Sequence, residues 1–194
     1  LRTGRAMEEI IIGGGSDSLI KVISSTFLYP GDEIIMGEHS FSRYEDNAKL
    51  MGAKVVKTSM EDLALQLDLM LEAVSDKTKI IYLCNPNNPT GSSFGKEELE
   101  GFLHRVPSTV MIILDEAYRE YVTREDYFDA LSYLDDYKNL IVLRTFSKAY
   151  GMASLRVGYG FADPELIGYF YRVVDPFDVN LFAQEAAVAA LQDE

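Results

Sequence analysis

The sequence contains few of the residues that form cross-links or bind metal ions. One cysteine, Cys84, is present among 194 residues, so no disulfide can form within the chain. The two histidines, His39 and His104, do not show the Cys and His spacings of structural zinc sites. We therefore expect no metal site and a reducing compartment, the cytoplasm.

Positive charge and long apolar runs are also scarce. The chain has 18 Lys and Arg against 31 Asp and Glu, a net charge of -13. Nucleic acids and anionic membranes bind basic surfaces, so we exclude them as partners, and an anionic ligand would need a local exception to this charge. No apolar run approaches the roughly 20 residues of a membrane span, and the start, "LRTGRAMEEI", has no signal-peptide core. We expect a soluble protein.

Length and the two ends of the sequence bear on domain organisation. With 47% hydrophobic residues, the chain can bury the core of one large domain, and it contains no repeat or linker. We predict a single domain over residues 1–194. Because the start lacks an initiator methionine and the end, "AAVAALQDE", stops within a predicted helix, we expect a piece of a longer chain.

Short apolar runs alternate with helix-like stretches along the chain. Runs without polar alternation are typical of parallel strands that are covered on both faces. The pattern predicts an α/β fold with a mostly parallel sheet and helices on both faces. The predicted strands are 9–12, 32–36, 54–57, 79–84, 110–114 and 140–143, and the predicted helices are 16–28, 41–52, 61–75, 95–105 and 183–192.

Polar stretches follow the carboxyl ends of four predicted strands. They read "GGGSDS", "NPNNPTG", "DEAY" and "RTFSK". In open α/β sheets, ligands bind at this edge. We therefore expect the four loops to converge on one site.

Each of the first two loops can be interpreted in two ways, as a purely structural feature or as a ligand-binding one. In "GGGSDSLIKV" (13–22), free N–H groups at 15–17 would bind phosphate at a helix start, or Ser16 or Asp17 would simply cap the helix. The stretch is neither a dinucleotide fingerprint nor a P-loop. "NPNNPTG" (85–91) is a tight turn, or a turn that presents the Asn88 amide to a ligand. We predict that at least one of its two Asn-Pro bonds is cis.

The other two loops carry the charged groups. Asp115 ends a predicted buried strand, where a carboxylate needs a partner, unless Asp115 or Glu116 caps the next helix. Lys148 alone is typical of a solvated surface lysine, and Arg156 alone of a surface ion pair. Together, however, the loops supply what pyridoxal 5'-phosphate requires: a lysine amine, an acid for its pyridine nitrogen and a site for its phosphate.

The order of the four stretches resembles that of a known family. The series "GGGSDSLI", "NPNNPTG", "DEAYREY" and "RTFSKAYGMASLRVGY" is similar to class I/II aminotransferases of fold type I, over nearly all 194 residues. Within that family, "GSD", "SKAYGMASLRVGY" and "PFDVNLFAQEAA" (176–187) most resemble the histidinol-phosphate aminotransferase branch. The resemblance implies the three-layer, cofactor-binding large domain, without the N-terminal arm and the C-terminal small domain.

The resemblance also implies roles for individual residues. Lys148 would bond to the cofactor and move the proton at the substrate Cα, and Asp115 would pair with the ring nitrogen. Asn88 and Tyr118 would hydrogen-bond the phenolic oxygen. Phe41 would stack on the ring, with Tyr44 as the fallback and core packing as the alternative. The phosphate would be held by Gly15, Ser16, Asp17, Thr145, Ser147 and Arg156.

One departure from the family pattern concerns the phosphate loop. The branch commonly has Asn-Gly before the Ser-Asp and Glu after it, where this chain has Gly14 and Ser18. Gly14 lacks a side chain that could set the shape of the loop, so the family pattern does not fix the geometry of the phosphate site here.

The resemblance implies an enzyme that transfers an amino group from an amine donor to a 2-oxo acid. The leading hypothesis is transamination between L-histidinol phosphate and 2-oxoglutarate in histidine biosynthesis, by a homodimer. An aromatic amino-acid aminotransferase or a threonine-phosphate decarboxylase would retain every motif above. A non-catalytic regulatory homologue is a further alternative, but it would be expected to lose the lysine or the aspartate, and this chain retains Lys148 and Asp115.

Overall fold

Strands and helices alternate along the chain, as the apolar runs predict. The computed structural model describes residues 3–193, and Leu1, Arg2 and Glu194 of the predicted domain lie outside the described residues. No helix within these bounds is both long and apolar enough to cross a membrane. The elements are β1 (Ile10–Gly13), α1 (Ser16–Phe27), β2 (Glu33–Gly37), α2 (Ser42–Leu50), β3 (Lys54–Thr58), β4 (Met60–Glu61), β5 (Ala64–Leu65), α3 (Leu67–Glu72), β6 (Thr78–Cys84), α4 (Lys96–Leu103), β7 (Met111–Asp115), β8 (Leu140–Thr145), β9 (Gly158–Phe161), α5 (Pro164–Phe170) and α6 (Leu181–Gln192).

Seven strands form the central sheet in the order β1-β9-β8-β7-β6-β2-β3. Strand β9 is antiparallel to both of its neighbours, β1 and β8. The pairs from β8 across to β3 are parallel, so β9 alone runs against the others. The prediction of a mostly parallel sheet is confirmed, and the carboxyl ends of the remaining strands lie at one edge.

Helices cover both faces of this sheet, which completes the predicted three layers. Successive side chains of a strand point to opposite faces. Tyr82 of β6 therefore belongs to one core cluster with residues of α1, α2 and α5, whereas Ile81 and Leu83 belong to a second cluster with α3 and α4. All three side chains are fully buried. The burial of β6 on both faces accounts for its uninterrupted apolar sequence.

Several elements differ from the sequence prediction, including the short strands β4 and β5, which the apolar runs do not predict. The predicted helix 61–75 is shortened to α3, because Asp62 and Leu63 have φ values of 48° and 61° and form the tight turn of the β4–β5 hairpin. Strand β9 was not predicted, since the glycines in "GYGF" have low strand propensity. Helix α5 was not predicted either, although Asp163 caps it and Pro164 occupies its first turn, both of which are start signals.

A buried ion pair joins the carboxyl ends of β7 and β8. The Arg144 Nε lies 2.8 Å from Oε2 of Glu116, and the two residues are 4% and 0% exposed. Burial raises the pKa of the Glu116 carboxyl, and the Arg144 charge opposes that rise. Glu116 is thus a buried partner of arginine and does not cap a helix, which corrects that alternative from the sequence.

We predict that Arg144→Met lowers the free energy of unfolding by about 3–5 kcal/mol, because it leaves a buried carboxylate without its partner. Arg105→Met is the matched control, since Arg105 pairs with Asp68 at the surface and such pairs contribute about 1 kcal/mol or less. Urea unfolding followed by circular dichroism measures both. Equal, small losses in the two variants would contradict a structural role for the buried pair.

Candidate active site

The four predicted loops meet in one cavity at the carboxyl edge of the sheet. Every predicted site residue except Gly15 lines it, and Gly15 lies in the adjoining turn against the Arg156 guanidinium. The lining also includes Cys84, Ala117 and Ala153, which the sequence did not single out. The full lining is Ser16, Asp17, Phe41, Cys84, Asn88, Asp115, Ala117, Tyr118, Thr145, Ser147, Lys148, Ala153 and Arg156.

A second cavity adjoins the first and is the larger of the two. It has a volume of about 420 Å³ against about 180 Å³, and it shares Asn88 and Tyr118 with the first cavity. Its remaining lining comes from the loop after β6 and from residues 121–124. The acid, the amine and the anion-binding groups lie in the smaller cavity, so we take that cavity as the candidate site.

Asp115 supplies a buried carboxylate at the floor of the cavity. It ends β7 and is 3% exposed. Its Oδ2 accepts a hydrogen bond of 2.7 Å from the Tyr44 hydroxyl, and its Oδ1 accepts one of 3.1 Å from the Ala117 N–H. Burial raises the pKa of Asp115, while both hydrogen bonds and the charge of Lys148 act to lower it. Neither Asp115 oxygen caps a helix, contrary to the second alternative from the sequence.

Lys148 supplies an amine on the opposite side of the same cavity. It lies in a turn after β8 that is closed by a hydrogen bond of 2.9 Å from the Gly151 N–H to the Lys148 carbonyl oxygen. The Nζ atom lies 4.9 Å from the centre of the Tyr118 ring. A cation over an aromatic face is held by the ring quadrupole, so Tyr118 helps to orient the amine.

The loop after β6 brings Asn88 to the cavity. Both the Asn85-Pro86 and the Asn88-Pro89 bonds are cis, which confirms the prediction for this loop. The Asn88 Nδ2 donates to the Tyr118 hydroxyl at 3.4 Å. Asn87 ties the loop to the turn before α2, because its Nδ2 donates to the His39 carbonyl at 2.8 Å.

Phe41, at the end of that turn, lines the cavity, whereas Tyr44 is fully buried behind it. The two rings meet edge to face at 5.6 Å. Of the two aromatics considered for stacking on a ligand ring, Phe41 is therefore the one that reaches the cavity.

One end of the cavity is built from backbone N–H groups and Arg156. Gly15, with a φ of 95°, is the N-cap of α1, and no side chain caps this helix. Asp17 instead forms an ion pair of 2.7 Å with Arg43. The capping alternative for Ser16 and Asp17 is thus wrong. The first N–H groups of α1 remain available to an anion, which the helix dipole favours.

Arg156 borders this helix start from the other side. Its Nη1 donates to Ser147 Oγ at 3.3 Å, and its Nη2 donates to the Gly14 carbonyl at 3.2 Å. The Ser147 N–H donates to Thr145 Oγ1 at 3.1 Å. Arg156 thus places a positive charge beside this helix start in a protein of net charge -13.

Asp178 contacts the loop after β1, which has no side chain at position 14. One carboxylate oxygen, Oδ2, accepts hydrogen bonds from the Gly14 N–H at 2.7 Å and from Ser18 Oγ at 2.8 Å. Gly14 and Ser18 are the two positions at which the chain departs from the common pattern. Sequence reasoning missed Asp178, although it lies within the quoted stretch 176–187.

The sequence matches a known protein family. The family model described as aminotransferase class I and II matches residues 3–194. This chain belongs to that family. Among curated members, it is 47% identical over its whole length to a histidinol-phosphate aminotransferase of Moorella thermoacetica, and 49% identical over 95% of its length to histidinol-phosphate aminotransferase 2 of Hydrogenovibrio crunogenus. The chain spans about half the length of these relatives (50% of each).

Solved structures of the aminotransferase family share the fold. The histidinol-phosphate aminotransferase of Sinorhizobium meliloti, in complex with pyridoxal 5'-phosphate, matches 98% of this chain with a TM-score of 0.93 and 32% identity, over 52% of its own length. The L-threonine-O-3-phosphate decarboxylase of Porphyromonas gingivalis matches 98% of this chain with a TM-score of 0.85 and 28% identity, over 58% of its own length. The predicted fold-type-I architecture is confirmed.

Close backbone packing holds the turn at Gly15 in place. At Gly158, the first residue of β9, an added Cβ would lie 2.7 Å from the Gly15 carbonyl carbon. Backbone at that distance has to move, so a side chain at position 158 displaces the turn.

We predict that Gly158→Ala weakens binding of inorganic phosphate about tenfold, since overpacking of this kind costs about 1–3 kcal/mol. Gly168→Ala on α5 is the control, because a Cβ there meets no atom within 4 Å. Calorimetric titration with phosphate measures both variants. An unchanged affinity in Gly158→Ala would show that the turn is not the anion site.

Proposed function

We propose that residues 1–194 form the pyridoxal-phosphate-binding large domain of an aminotransferase that converts L-histidinol phosphate and 2-oxoglutarate to imidazole acetol phosphate and L-glutamate in histidine biosynthesis. One observation carries the proposal: Lys148, the buried Asp115 and the anion-binding end with Arg156 line a single cavity. The names of the curated relatives, at 44–49% identity, support the choice of substrate.

The described side chains fit pyridoxal 5'-phosphate in their chemistry. The helix start at Ser16 and the Arg156 guanidinium suit a phosphate group. The buried Asp115 carboxylate suits a protonated ring nitrogen, and the Phe41 ring suits an aromatic face. When bound, the cofactor supplies an aldehyde that bonds to amines and a ring that accepts the electron pair released at the substrate Cα.

Lys148 has two tasks in this proposal. Its Nζ would be the amine that holds the cofactor, and it would also carry the proton to and from the substrate Cα. Because the Tyr118 ring lies below the Nζ atom, the released amine stays near the reacting carbon. The position of Lys148 in a closed turn, rather than on a free loop, limits its movement further.

Asp115, Asn88 and Tyr118 adjust the charge around the ring. The Asp115 carboxylate balances the positive ring nitrogen, which lets the ring accept electrons. The Asn88 amide and the Tyr118 hydroxyl already contact each other, so both can reach a phenolic oxygen placed between them and the lysine. Hydrogen bonds to that oxygen stabilise its anionic form.

The carboxylates of 2-oxoglutarate need a cation that this cavity does not provide. Among residues 3–193, Arg156 is the one arginine in the cavity lining, and it borders the phosphate end. We propose that the second cation belongs to a small domain outside residues 1–194 and that a partner subunit of a homodimer completes the site. We further propose a cytoplasmic location, which the single cysteine supports.

Two alternative reactions use the same groups. A decarboxylase of threonine phosphate and an aromatic aminotransferase both require the lysine, the aspartate and the phosphate site. The similarity to the Porphyromonas gingivalis decarboxylase, at 28% identity, supports the first alternative. A non-catalytic homologue is less well supported, because Lys148 and Asp115 are both present and both line the cavity.

We predict that Lys148→Ala abolishes covalent attachment of pyridoxal 5'-phosphate while leaving the fold intact, because the exposed side chain contributes little packing. Lys138→Ala is the matched control, since Lys138 lies before β8, at the opposite end of that strand. Borohydride reduction followed by peptide mapping locates the bond. A label on another lysine would overturn the assignment.

We predict that the full-length protein consumes L-histidinol phosphate at least about a hundredfold faster, in kcat/KM, than L-phenylalanine, L-tyrosine or L-threonine phosphate. A coupled assay for glutamate formed from 2-oxoglutarate measures each donor. Release of carbon dioxide from threonine phosphate would favour the decarboxylase, and no reaction with any donor would favour the regulatory homologue.

A further inference from the structure

Tyr44 places a hydroxyl group in contact with the key carboxylate from outside the cavity. It lies on α2 and is 0% exposed. Its hydroxyl donates to Asp115 Oδ2 at 2.7 Å. The family resemblance suggested this residue only as a stacking aromatic, which its position excludes.

Aromatic packing on two sides fixes the Tyr44 ring. The ring stacks on Tyr82 of β6 with centroids 4.3 Å apart and an interplanar angle of 9°. It also meets Phe41 edge to face. Since both neighbours hold the ring, the hydroxyl stays beside Asp115 Oδ2, with the Cys84 thiol as its other polar neighbour.

Neutral hydrogen-bond donors stabilise the negative charge of Asp115. Four titratable groups lie close enough to interact with its charge: Tyr44 from α2, Tyr82 and Cys84 from β6, and Lys148 from the turn after β8. Burial raises the pKa of Tyr82 well above its usual value, so Tyr82 stays uncharged. Burial raises the pKa of Cys84 to about 12 and that of Tyr44 well above its usual value, so both stay uncharged. Lys148 acts through its charge without a hydrogen bond to Asp115 and, under the proposed function, bonds to the cofactor. The Tyr44 hydroxyl and the Ala117 N–H are then the groups that hold the carboxylate.

We propose that Tyr44 is a positioning residue of this enzyme: its hydroxyl orients the Asp115 carboxylate and keeps it anionic, so that the proton between Asp115 and the cofactor ring nitrogen stays on the nitrogen. The inference rests on the proposed function, because it requires pyridoxal phosphate in the cavity. Without the hydroxyl, the carboxylate becomes the better base and that proton moves toward it. The ring then loses the charge that makes it an electron acceptor.

Tyr82 offers a control of the same kind in the same cluster. It is also fully buried and shares the stack with Tyr44, but its hydroxyl lies 3.2 Å from Ser24 Oγ. Tyr82→Phe and Tyr44→Phe each remove one buried hydroxyl and keep the ring. A difference between the two variants therefore reports the contact with Asp115 and not the packing.

The test uses the full-length holoenzyme loaded with pyridoxal phosphate that carries ¹⁵N in its ring. Nitrogen NMR distinguishes a protonated from an unprotonated ring. We expect a protonated nitrogen in the wild type and in Tyr82→Phe. In Tyr44→Phe the nitrogen chemical shift should move toward the unprotonated value, which is the same direction as the change expected in Asp115→Asn. We also expect kcat to fall about tenfold or more in Tyr44→Phe, with a smaller change in KM, as for loss of a hydrogen bond to a charged group.

The possible outcomes separate this inference from the proposed function. A wild type that binds no cofactor, or whose ring nitrogen is unprotonated, overturns the inference together with the role of Asp115. A protonated wild type with an identical Tyr44→Phe spectrum overturns the inference alone, as does an equal shift in Tyr82→Phe. If Tyr44→Phe does not fold, fluorotyrosine at position 44 provides a stronger donor, and the ring nitrogen should then keep its proton to higher pH. An unchanged titration in that variant would also overturn the inference.

Discussion

Two consecutive carboxylates are buried at the end of β7, and the site depends on the different groups that stabilise their negative charges. Glu116 faces the permanent charge of Arg144 within the fold. Asp115 receives hydrogen bonds from a tyrosine and a backbone N–H. A buried anion with neutral donors alone keeps an unbalanced charge, which favours a cationic ligand group. Under the proposed function Asp115 therefore faces the ligand, whereas Glu116 joins the ends of β7 and β8.

The strand-end position of these residues explains why so much of the site could be predicted. Asn88, Asp115 and Lys148 each follow a continuous apolar run, and parallel strands bring such positions to one edge. The same runs located the central strands β6, β7 and β8. The local sequence pattern was sufficient to locate these strands, because a strand that is buried on both faces has a continuous apolar sequence.

Other features of the site could not be predicted, because they leave no pattern in the local sequence. Strand β9 contains two glycines, one of which, Gly158, is required by close packing against the turn at Gly15. Asp178 contacts a residue 164 positions earlier, and a side chain that binds a distant backbone N–H has no sequence signature. The helical spacing of α2 indicates that Tyr44 is buried. It does not indicate which acceptor the hydroxyl meets, because that depends on the packing of α2 against the sheet.

Strand β1 has a consequence for the order in which the chain acquires its site. In the sheet it pairs with β9 alone, and the loop after it is held by Arg156 and Asp178. Contacts between residues so far apart in sequence form late, because closing a long loop costs entropy first. During synthesis, the loop after β1 leaves the ribosome long before Arg156 and Asp178 do. The nascent chain therefore completes its central strands before this loop is held in place.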